Sequence, residues 1–241
     1  NKFKNYTTNI DGIKIHFIKK KGSSENSEPL LLMHGWPGSI IEFLNIIEKL
    51  AHPEKFGGNE NDSFDVIVPS LPGFGFSGSP SKPMGPRKMA EILNKLMIEN
   101  LGYKDYMAQG GDWGATIANW LGYDHSNFCK AIHINCLTMR HPEGPQSDEE
   151  RNWQKKFNED QIMQEGYRTQ QATKPQSLGY GMMDSPVGIA AWIIEKMHSW
   201  SDLKNNDIES VYSKDILLAN IMIYILTKTF DTASWIYFGR R

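Results

Sequence analysis

The stretch Gly110-Gly111-Asp112-Trp113-Gly114 constrains this chain more than any other. It follows a short apolar run at 106–109, which reads as a buried strand, and precedes a helical pattern at 115–121. Glycines on both sides of one acidic residue permit a sharp, strained strand-to-helix turn that pushes the side chain into a pocket. The spacing is that of the nucleophile elbow G-x-S-x-G, with aspartate in the serine position. A helix N-cap would account for the aspartate but not for Gly110, Gly111 and Gly114. Asp112 is therefore the candidate nucleophile. An aspartate makes an alkyl ester with an electrophilic carbon, whereas serine attacks acyl carbons.

Residues 12–19 alternate Ile13, Ile15 and Phe17 with polar partners, which predicts a half-exposed antiparallel strand. The run at 29–33 is continuously apolar, as in a strand covered on both faces. Further strands are expected at 64–68, 106–109 and 131–134, with helices at 39–50 and 89–101 between them. Alternation of this kind implies a mostly parallel sheet with helices on both faces. From 148 to 238 the patterns are helical, at 149–163, 187–200 and 213–238. The expected division is an α/β core over 1–140 and an all-helical cap, or lid, over 141–241. The cap would cover the C-terminal edge of the sheet, where open α/β folds bind ligands.

With 241 residues and 39% hydrophobic content, the chain can bury the core of one α/β domain. A net charge of -2 gives nucleic acid no electrostatic footprint. Cys129 and Cys136 form no C-x-x-C pair, so free thiols in a reducing, cytoplasmic setting are expected. The apolar run at 216–226 contains Asn220 and is too short to span a bilayer. There is no metal-ligand spacing, and Gly73-Phe74-Gly75 lacks the rest of a dinucleotide fingerprint, so no cofactor is expected.

His34-Gly35-Trp36-Pro37-Gly38-Ser39 follows the strand at 29–33. A tight turn there would aim the Trp36 N–H at the space above the elbow. The Trp113 N–H would be the second donor of an oxyanion hole. His34 could serve as a base, but a histidine opening such a loop more often holds the turn through backbone hydrogen bonds. The helix N-terminus behind Asp112 should keep its carboxylate ionised at neutral pH. Trp36, Pro37, Phe74, Phe76 and Trp113 suggest an apolar substrate pocket, although core packing uses the same residue types.

HGWPGS, then Leu71-Pro72-Gly73-Phe74-Gly75-Phe76-Ser77, then QGGDWGA resemble the epoxide hydrolases of the α/β-hydrolase superfamily. The likeness is to the microsomal and juvenile-hormone branch and its bacterial relatives. Segments 172–179, 184–188 and 220–224 also resemble that branch, so the similarity runs from about residue 3 to 237. The resemblance implies that Asp112 opens a small apolar epoxide through an aspartyl ester that is later hydrolysed to a vicinal diol. It also implies that Tyr167 and Tyr237 donate protons to the epoxide oxygen. A phenol of pKa about 10 stays protonated at neutral pH yet is far more acidic than the departing alkoxide. With nine tyrosines in the chain, simple packing is the competing reading of both.

In these hydrolases the acid and the histidine follow the cap. Here His16, His34, His52, His125 and His133 precede the helical part, His141 and His198 lie within it, and Asn135-Cys136-Leu137-Thr138 offers no acid. The expectation is an interior piece of a longer enzyme, truncated at both ends. The last core strands, the acid, the general base and the amino-terminal segment of the microsomal branch would then lie outside the sequence. Two rivals stand beside this reading. A haloalkane dehalogenase also uses an Asp-Trp elbow, with Trp113 holding halide, but usually has asparagine where Trp36 stands. A non-catalytic α/β-hydrolase-like binding protein would account for the missing histidine. No oligomeric state is implied.

Overall fold

A computed structural model describes residues 3–136 and 141–240; Leu137 and Thr138 of the strand exit lie outside the described residues. Each predicted strand forms. They are β2 (Ile13–Lys20), β3 (Glu28–Met33), β4 (Phe64–Pro69), β5 (Tyr106–Gly110) and β6 (Cys129–Ile134). β1 (Asn5–Ile10) adds an antiparallel strand that the sequence reading did not foresee, because NYTTNI is polar and mostly exposed. The six-stranded sheet runs β1-β2-β4-β3-β5-β6. β3 pairs in parallel with β4 and with β5, and β5 in parallel with β6, while β2 pairs antiparallel with β4.

The two-residue period of the strands sorts their side chains into two layers. Leu31, Met33, Ile67, Tyr106 and Ala108 pack with α2 (Pro86–Lys95) and α3 (Trp113–Asp124). Trp113, Ile117 and Leu121 follow one another at every fourth position of α3 and make its buried stripe. On the opposite face Leu30, Leu32, Val66 and Val68 pack against Ile40, Phe43 and Ile47. β6 departs from this pattern. It is parallel to β5, yet Lys130 to His133 are exposed, Ile132 at 40%.

Several helices differ from their predicted extent. The span 39–50 is not one helix. Ser39 Oγ accepts the Ile41 N–H and caps a 3-10 turn at Ile40–Phe43, and α1 (Ile47–Ala51) then starts separately. α2 begins on Pro86, whose fixed φ suits a first helical turn, and ends at Lys95, where Leu96–Asn100 widens into π-helix geometry. After β6 come α4 (Asp148–Gln164), α5 (Gly166–Thr173), α6 (Pro175–Met183) and α7 (Pro186–Ser199). Of these, α5 and α6 were not foreseen. Ser147 Oγ caps α4 by accepting the Glu150 N–H.

The predicted helix over 213–238 is two helices, α8 (Lys214–Thr227) and α9 (Phe230–Gly239), bent by 90°. Lys228 takes the left-handed conformation at the break (φ 53°), and the Thr229 hydroxyl accepts the Gly75 N–H. Among the described residues no single helix is long and apolar enough to cross a membrane.

Candidate active site

The elbow is built by close backbone approach. A β-carbon on Gly110 would overlap the backbone of Gly114, and one on Gly114 would overlap the carbonyl of Met33. Asp112 itself takes φ 50° and ψ -124°, a conformation that favours glycine and signals strain in any other residue. Its side chain makes no capping bond to α3. It turns instead towards the HGWPGS loop, where the Trp36 N–H donates to Oδ1 at 2.7 Å, while the Trp113 N–H lies close enough to lower the carboxyl pKa. A β-carbon on Gly35 would overlap Asp112 Oδ1, so that position must be small for the loop to reach the carboxylate.

Asp112 sits on the floor of a cavity of about 660 Å³, with protein below and a surface open to the cavity above. Desolvation pushes its carboxyl up to about 6, against the pull of the Trp113 and Trp36 N–H groups. The carboxylate is thus ionised at pH 7, as expected, but the helix N-terminus does not hold it in the ordinary range; desolvation outweighs it.

Tyr167 of α5 and Tyr237 of α9 line the same cavity. Their rings meet edge-on, with centroids 5.8 Å apart. The Trp36 indole stacks on Tyr167 at 5.4 Å and 10°, and Tyr237 meets Trp113 edge-on at 4.8 Å. Desolvation and the charge of Asp112 raise both phenols, Tyr237 well above its ordinary value, so both remain protonated at neutral pH. Asp112, Trp113, Tyr167 and Tyr237 therefore line one cavity, whereas the Trp36 side chain, expected to contact substrate, is buried against Tyr167 and is not part of the lining. Phe157, Gln161 and Ile162 of α4 form the outer wall.

Other expected residues are elsewhere. Phe74 is buried edge-on against His34 at 5.4 Å, and Phe76 is exposed beside His16; neither lines the cavity, because the tight turns of Leu71–Ser77 face the core and the surface. Pro37 is also outside the lining, its carbonyl accepting from Asn220 Nδ2 at 2.8 Å. His34 holds its turn. Its Nδ1 donates to the Gly35 carbonyl and its Nε2 accepts the Leu71 N–H, the tautomer that satisfies both, and burial lowers its pKa to about 4.

Two neighbours of the site were not foreseen. Cys136 lines the cavity beside the elbow as a free thiol, raised by burial. Glu42 lies against Gly38, and desolvation with the charge of Asp112 pushes it up to about 8. Among the described residues no group of His, Cys, Asp and Glu could hold a metal ion.

A family model described as alpha/beta hydrolase fold matches residues 28–178. The chain belongs to that family. A second model, for the epoxide hydrolase N terminus, matches residues 1–43, over β1 to β3. The chain is 42% identical over 241 residues to a protein of Stigmatella aurantiaca named as a candidate epoxide hydrolase, covering 98% of this chain and 54% of that protein. It is 35% identical over 264 residues to epoxide hydrolase 1 of Sus scrofa, covering 98% and 58%.

Among solved structures, the juvenile hormone epoxide hydrolase of the silkworm Bombyx mori superposes with a TM-score of 0.85 at 31% identity, covering 98% of this chain and 61% of that one. The epoxide hydrolase of Aspergillus niger superposes at 0.80 and 32% identity, covering 98% and 60%. The chain spans about half the length of the curated relatives it matches. The expected resemblance to epoxide hydrolases, of microsomal and juvenile-hormone type, is borne out by these relatives.

Proposed function

We propose that this chain carries the ester-forming half of epoxide hydrolysis and that the whole protein converts a small apolar epoxide to a vicinal diol. The observation that carries the reading is one strained carboxylate, held by the Trp36 N–H, in a cavity that it shares with two edge-on phenols. An Asp112 oxygen attacks the less hindered epoxide carbon, and the carbon–oxygen bond of the ring breaks. The freed oxygen takes a proton from the Tyr167–Tyr237 pair, leaving a hydroxyalkyl ester on Asp112. No group leaves the adduct, so its mass is that of protein plus epoxide.

The Trp36 and Trp113 N–H groups then face the ester carbonyl, where negative charge develops when water attacks. Activating that water needs a base. None of the described residues lining the cavity is a histidine, and we assign the step to the histidine–acid pair expected outside this sequence. We read α4 to α9 as the cap, since α4, α5 and α9 supply the wall opposite α3. The two unpaired thiols suit a reducing, cytoplasmic setting.

Intact-mass measurement after incubation with styrene oxide tests the reading. The expected result is a gain of one whole epoxide, absent in Asp112→Asn. A chloroalkane that alkylates the chain with loss of chloride, while epoxides do not react, would reverse the assignment towards dehalogenation.

A further inference from the structure

The proposed chemistry leaves one buried charge without a task. Lys196 on α7 is 5% exposed, and its ammonium lies 4.9 Å from the centroid of the Tyr167 ring and 5.9 Å from that of Trp200. Trp200 itself packs against Tyr167 at 5.1 Å and against Trp36 at 6.4 Å. The carboxylate partner of Lys196 is the adjacent Glu195, at 2.6 Å, whose side chain is 56% exposed. An ion pair between neighbours on one helix could form equally well in solvent. It does not explain why the ammonium is turned inward, where removing it from water is costly. The aromatic surroundings do, because the negative face of a ring attracts a cation, most strongly when water is excluded.

We propose that Lys196 is a positioning residue for Tyr167: its ammonium holds the ring against Trp36 and stabilises the negative charge that reaches the phenol as its proton moves to the epoxide oxygen. The inference rests on the role given above to Tyr167. A cation over a neutral ring gains attraction when that ring becomes anionic, so the contact is stronger in the transition state than before reaction. Only such a difference accelerates a chemical step. The other groups that face Tyr167 fit this division of labour. At its hydroxyl end stand Tyr237 and the charges of Asp112, Glu165 and Arg168. Arg168 is paired with Glu165, and Asp112 loses its charge as the ester forms. Lys196 is the cation over the ring itself.

The test measures the rate of ester formation with styrene oxide by time-resolved intact mass. It compares the native chain, Lys196→Met and Lys196→Arg, each with Tyr167 and with Tyr167→Phe, and checks folding by circular dichroism. Lys196→Met should slow ester formation about thirtyfold, the size of a desolvated cation–π contact expressed as a rate. Lys196→Arg should restore most of the loss. In the Tyr167→Phe background, Lys196→Met should add almost nothing, because the phenol it serves is gone. A general packing role would instead give the same loss in both backgrounds, and that result, or an unchanged rate in Lys196→Met, overturns the inference. A native chain that forms no ester overturns the reading of Asp112, and this inference with it.

Discussion

At the scale of single residues, the site depends on how one carboxylate is held. With its pKa at about 6, Asp112 should make ester formation rise through that pH and level off above about 7, because only the carboxylate attacks. A stopped-time series from pH 5 to 8 checks this. The same shift has a stability consequence of opposite sense. The folded pKa lies above the ordinary aspartate value of 3.8, so the folded chain holds the proton more tightly. That stabilising contribution is complete below the unfolded pKa and is lost as pH rises through about 6. Asp112→Asn should therefore be the more stable protein at pH 7, with the gap closing near pH 4. Solvent in the cavity screens the charge, so the expected gap is on the order of 1 kcal/mol, or about 2–4 °C in thermal melts.

Gly114→Ala should do the reverse, since its β-carbon would meet the Met33 carbonyl. A loss of about 1–3 kcal/mol in urea denaturation is expected. The elbow and its glycines were legible in the sequence because spacing alone encodes them. Glu42 and Lys196 were not, because their significance comes from what the fold brings beside them.

At the scale of elements, the loop that aims Trp36 is held from the other end of the chain. Asn220 Nδ2 on α8 donates to the Pro37 carbonyl at 2.8 Å, and the Tyr224 hydroxyl donates to the Gly38 carbonyl at 2.7 Å. α9 docks in the same way, through the Thr232 hydroxyl on the Gly73 carbonyl at 2.7 Å. Tyr224→Phe leaves a carbonyl in the protein interior without its donor, which costs about 1–3 kcal/mol. It should also slow ester formation several-fold, because the Trp36 N–H is no longer fixed over Asp112. Chemical denaturation and adduct kinetics on the same variant check both parts.

The sequence presents HGWPGS and the segment 220–224 as separate motifs; that one clasps the other appears only in three dimensions. The bend at Lys228 was hidden for a related reason. The run 213–238 is apolar enough to read as one helix, and the contact of Thr229 with Gly75 fixes the break.

At the scale of the molecule, the parallel centre of the sheet followed from apolar runs alternating with helices. The antiparallel β1 did not, since its residues carry no apolar alternation to read. Among the described residues β6 is the outer strand of the sheet, with Lys130 to His133 exposed.

The central claim is that Asp112 attacks an epoxide carbon from the floor of a cavity whose wall carries two phenols. Cys136 in the same cavity supplies the sharpest control, as a second group there able to take an alkyl chain. The most direct measurement is peptide mapping by tandem mass spectrometry after brief exposure to a small apolar epoxide. One added epoxide on the Asp112 carboxyl, lost in Asp112→Asn and slowed in Tyr167→Phe, is the predicted result. An adduct carried on Cys136 with Asp112 unmodified would contradict it.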